Sequence, residues 1–111
     1  MGSPEYDEMR HDHRASQLEP VYRDRDRRTD ELIDLYEEDW TRLDDELSQE
    51  ERNSLYLELM PVAFGMMRGV EMVDQASDIA RHWRRKVAKD KASREFLADA
   101  QRVDPTIEDL P

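Results

Sequence analysis

Cysteine is absent from the 111 residues. That excludes a disulfide-stapled fold, a thiolate zinc ribbon and a cysteine nucleophile. Glycine is almost as scarce, at three residues, and no glycine-rich phosphate loop can be written from it. No apolar run is long enough to span a bilayer. Apolar residues make up only 37% of the chain, so any core must be small. Positive charge is short too: 17 basic residues face 28 acidic ones, a net charge of −11. A chain of that sign repels a polyanion as a whole, which argues against a freestanding basic nucleic-acid binder. Only three of the basic residues are lysine (Lys86, Lys89 and Lys91). An arginine skew with an acidic excess also suits a salt-adapted proteome, where acidity is a solubility device. The first residues are polar, without an apolar signal core, and Tyr6 stands where a myristoylation signal needs Ser or Thr. A cytoplasmic protein is the expectation.

What is present is helical patterning. Residues 1–28 hold Pro4, Pro20 and the run Arg23-Asp24-Arg25-Asp26-Arg27-Arg28, with few aliphatics. So little apolar surface cannot offset ordering entropy, and most of the segment reads as a mobile mixed-charge arm, with Leu18, Val21 and Tyr22 the exception that could dock on the folded part. Thr29-Asp30 then offers an N-cap. Leu32, Tyr36, Trp40, Leu43 and Leu47 recur at spacings of four, four, three and four, predicting an amphipathic helix over 30–47. Ser48 and Glu51 form a capping box that opens a second helix folded back on the first. Pro61 falls inside it and must kink it or restart it. Val62, Met66, Gly69, Val73, Ala76, Ala80, Trp83 and Val87 alternate spacings of four and three, the seam of a core or of a dimer. Between Leu55 and Val73 the chain is apolar on nearly every side, as a central element would be. Helix is expected to continue to about Val103, unbroken or with a break near Lys89-Asp90-Lys91-Ala92-Ser93, and Asp104-Pro105 ends it before a short acidic tail, 104–111.

The expected architecture is therefore all-α: an antiparallel hairpin extended into a small three- or four-helix bundle over 29–103, with one long Pro-kinked central helix. An 18-residue first helix spans about 27 Å, too little to cover the longer second one. Either the last helix folds back over the remainder or a second copy does, and a homodimer is the expectation.

Charge is polarised. Residues 29–58 carry 12 acids and two arginines, whereas 81–94 carry seven basic side chains and one acid. The acids Asp30, Glu31, Asp34, Glu37, Glu38, Asp44 and Asp45 would line the outer face of the first helix. Regularly spaced carboxylates on a rigid helix resemble a strand of phosphates to a basic groove, and steer it electrostatically. The plainer use of such a face is solvation. The basic stretch, with Trp83, reads either as a phosphate-binding patch around Arg84 and Arg85 or as helix-end cations paired with acidic neighbours.

Met60, Met66, Met67 and Met72, with Phe64 and the Gly65-x-x-x-Gly69 spacing, suggest core packing, an adaptable surface or close helix approach. Glu71-x-x-Asp74, with Glu31-x-x-Asp34 or Glu37-Glu38, offers oxygen ligands for Mg²⁺. This layout is similar to the paired acidic helices of the all-α nucleotide pyrophosphohydrolases, and the resemblance implies Mg²⁺-dependent cleavage of a nucleotide. It departs from the family's first motif, since Thr41 rather than Glu stands three residues after Glu38. His11 and His13 flank Asp12 in the arm, and His82 is isolated.

These readings converge on a small acidic helical interaction protein, an adaptor, regulator or inhibitor that binds a larger protein or complex. Its sharpest form is a nucleic-acid mimic acting on a nucleic-acid-handling complex. Catalytic residues, metal ligands and cofactor are expected to be none. The alternatives are the Mg²⁺-dependent pyrophosphohydrolase and nucleic-acid binding through 81–94.

Overall fold

The computed structural model describes the backbone of residues 4–111 and the side chains of residues 15–111. It contains four helices, and no strand among the described residues: α1, Pro4–Glu38; α2, Trp40–Glu46; α3, Gln49–Met67; and α4, Val73–Val103. The all-α expectation holds. Two compact units form, one from Met1–Asp30 with Lys89–Pro111 and the other from Glu31–Ala88.

In the first unit, helix begins at Pro4 rather than at Thr29-Asp30. Of the expected arm, residues 1–3 and the side chains of His11 and His13 lie outside the described residues. The reason for the early start is a stripe with polar members. Leu18, Arg25 and Thr29 are buried and Tyr22 is half-buried, at spacings of four, three and four. Arg25 buries its stem while its guanidinium stays satisfied. Nε donates to Asp26 Oδ1 at 2.8 Å, Nη1 donates to the Pro111 carbonyl at 2.5 Å, and the group lies 5.5 Å from the Tyr22 ring centre. The Thr29 hydroxyl donates to the Arg25 carbonyl at 2.9 Å. Opposite this stripe α4 offers Ala92 and Ala100, both fully buried, with Phe96, Leu97 and Val103 half-buried. Arg28 pairs with Glu95 at 3.0 Å at the edge.

The second unit has the larger apolar core: Leu32, Tyr36, Leu43, Leu47, Leu55, Val62, Trp83, Val87 and Ala88. The helix expected over 30–47 is broken at Asp39, whose extended backbone caps α2 while its carboxylate accepts from the Thr41 N–H at 3.1 Å. The break resets the helical phase, so Trp40 leaves the core stripe and stands 38% exposed. The capping box at α3 is present in both directions. Ser48 Oγ accepts from the Glu51 N–H at 3.1 Å, and Glu51 Oε1 accepts from the Ser48 N–H at 3.0 Å. Trp83 on α4 donates its indole N–H to Glu58 on α3 at 2.5 Å, tying the two helices side by side.

The single long central helix is corrected. Although Pro61 is accommodated inside α3, the helix stops at Met67. Gly69 adopts φ +78° just beyond the Arg68 cap. The Gly69 N–H donates to the Met66 carbonyl at 3.0 Å and the Val70 N–H to the Gly65 carbonyl at 2.9 Å, the two bonds of a Schellman terminus. Residues 70–72 then lead to α4, whose first turn closes from the Ala76 N–H to the Met72 carbonyl at 3.0 Å. Gly69, which fitted the seam by spacing, is the turn that ends it.

Candidate interaction surfaces

The acidic surface is built on the outer side of α1. At about 100° of rotation per residue, Asp30, Glu31, Asp34, Glu37 and Glu38 fall within about 120° of the helix. All five are exposed, and Leu32 and Tyr36 occupy the opposite side in the core. Glu37 meets Arg84 at 3.7 Å. The two remaining acids of the predicted face are on α2, not α1. Asp45 is exposed, but Asp44 is half-buried and faces Arg52. The Arg52 Nε lies 3.5 Å from the Asp44 carboxylate and its Nη2 donates to the Asp44 carbonyl at 3.0 Å. Asp39, between the two helices, has its carboxyl held below the ordinary aspartate value. The Thr41 hydroxyl is the chief cause; the Thr41 N–H and Arg42, 3.6 Å away, add to it.

The basic stretch is largely occupied within the chain. Arg81 pairs with Asp78 at 3.3 Å, Arg84 with Glu37, and the Lys86 ammonium lies 4.8 Å from the Trp83 ring centre. Lys91 and Arg94 also have partners, and Arg85 is exposed. A cleft of about 510 Å³ beside α4 sets Lys89 and Arg94 against Asp90 and Asp109, so its charges offset one another. The carboxylates of the pyrophosphohydrolase reading are separated by the break after α3. Glu71 lies outside any helix and Asp74 in the first turn of α4, so they do not share a helix face. Among the described residues no three His, Cys, Asp or Glu side chains gather as a metal site. His82 is exposed and packs edge-on against Trp83.

The predicted seam is divided by the same break. Val62, Trp83 and Val87 are core, Ala76 and Ala80 half-buried, and Met66, Gly69 and Val73 exposed. Nor is α3 enclosed on all sides. Only Leu55 and Val62 of α3 are buried. Leu57, Met60, Phe64 and Met67 are exposed by 68, 49, 54 and 81%. By rotation they fall within about 80° of one another, on the side of α3 opposite Leu55 and Val62. Spacings of three, four and three were legible in the sequence, but there they merged with the core positions of the same helix. The glycine pair serves the chain internally rather than close approach of another helix. A Cβ on Gly65 would stand 2.9 Å from Met72 Cγ and Sδ, so Gly65 makes room for the half-buried Met72, and Gly69 makes the turn.

No helix among the described residues is long and apolar enough to cross a membrane. No family model, curated protein or solved structure matches the chain.

Proposed function

We propose that this is a non-catalytic, cytoplasmic interaction protein that binds a larger protein through the acidic face of α1, as a regulator or inhibitor. The observation that carries the reading is the arrangement of five exposed carboxylates on one side of a continuous helix. Intrachain pairing of the basic residues of α4 supports it from the other direction, because cations already matched to acids have little left for a polyanion. A basic groove is the complementary surface. Its natural occupant would be nucleic acid, which the carboxylate row imitates in charge. Asp45 extends the row; Asp44, held by Arg52, contributes less.

A pull-down from the native host should retain a partner with a basic surface, and raising the salt concentration should release it. Replacing Asp30, Asp34 and Glu38 together with lysine should abolish retention and leave the circular dichroism unchanged. Retention by this variant would overturn the proposal.

A further inference from the structure

We infer that the outward face of α3 is a two-fold interface with a second copy of this chain. The inference rests on a different surface from the acidic face and is independent of it. Leu57, Met60, Phe64 and Met67 present large apolar side chains to water. Side chains of this size carry on the order of 150–200 Å² each, so their exposed fractions with that of Tyr56 expose on the order of 500 Å² per copy. That lies at the upper end of the patches monomers tolerate, and supplies most of the roughly 800 Å² that each partner contributes to a standard interface.

The choice of a second copy rests on the exposed apolar area and on the scarcity of carboxylate over residues 53–68; the order of the stripe supplies a register compatible with two-fold symmetry. Its spacings, three, four and three, read the same in both directions about Val62. Two antiparallel α3 helices related by a two-fold axis there would set Leu57 against Met67 of the second copy, and Met60 against Phe64. Charge points the same way. On a chain of net charge −11, residues 53–68 contain one acid, Glu58, and it accepts from Trp83. This is a face on which two strongly acidic chains can meet without opposing carboxylates.

Sedimentation equilibrium of the full chain at micromolar concentration should give twice the 13.3 kDa chain mass. Added salt should tighten the dimer by screening the repulsion between two acidic chains, the opposite of its effect on a basic partner. Phe64→Glu, and separately Leu57→Lys, should weaken dimerisation at least about ten-fold with unchanged circular dichroism, because both side chains are solvent-exposed in one copy. The absence of native cysteine allows the register to be read directly. Chains carrying Met60→Cys mixed with chains carrying Phe64→Cys should oxidise to the mixed disulfide in preference to either matched one. A monomer at every concentration would overturn the inference and assign the face to a different protein. A dimer unaffected by both charged variants, or one cross-linked through matched positions, would overturn it equally.

Discussion

At Gly69 the backbone sits at φ +78°, where a Cβ meets no neighbouring atom, so space is not what selects glycine. The selection is conformational, since an L-residue with a side chain pays about 1 kcal/mol or more to hold that geometry. Gly69→Ala should therefore lower the free energy of unfolding by about 1 kcal/mol in a urea titration, with little change in helix content. Gly65→Ala acts by contact, through Met72, whose flexible side chain can shift aside. Asp39 is governed by protonation. Its folded-state carboxyl is more acidic than in the unfolded chain, so its contribution is complete above the ordinary aspartate value of about 4. The contribution is lost as pH falls through the lower, folded value. Asn keeps the cap but has no charge to lose. The stability advantage of the native chain over Asp39→Asn, measured by thermal unfolding, should be present at neutral pH and disappear in strong acid. An advantage that grew on acidification would contradict the assignment.

Element by element, legibility followed the chemistry of the stripe. The capping box at Ser48 and Glu51 could be read because two side chains at fixed spacing specify it locally, and the core residues Leu32, Tyr36, Leu43 and Leu47 because they are apolar. The N-terminal part of α1, through Thr29, defeated the same method, since Arg25 and Thr29 occupy buried positions that a hydrophobicity pattern marks as solvent. Arg25 also donates to the Pro111 carbonyl, 86 residues away, which no local window contains. The Asp39 break was concealed because aspartate in an acidic run resembles one more surface carboxylate, although it is also a strong N-cap. In α3 the difficulty was the reverse: two apolar faces on one helix erase the contrast that shows which face is inside. Of the acidic face, the α1 part followed from helical rotation, and Asp44 was misplaced because the helix does not continue through Asp39.

For the molecule as a whole, the charge of −11 divides the surface by function. Long-range repulsion between copies opposes self-association, and the proposed dimer would overcome it through the exposed apolar face of α3, which is poor in carboxylate. The same field would draw the proposed basic partner to α1 from a distance of about a Debye length, roughly 8 Å at physiological salt. The two associations respond to ionic strength with opposite sign, so one salt titration separates them. Neither depends on catalysis, and both draw on exposed residues whose replacement leaves the core of Leu32, Tyr36 and Leu43 intact.

The turn after α3 has a chemical consequence as well. By ending α3 at Met67, it leaves that residue 81% exposed in the single chain, on the same face as Met60 at 49%. Oxidation to the sulfoxide makes each side chain polar where apolar contact is required. Mild peroxide applied to the dilute, dissociated chain should therefore prevent dimerisation without unfolding, and methionine sulfoxide reductase should restore it, as sedimentation of the treated protein would show.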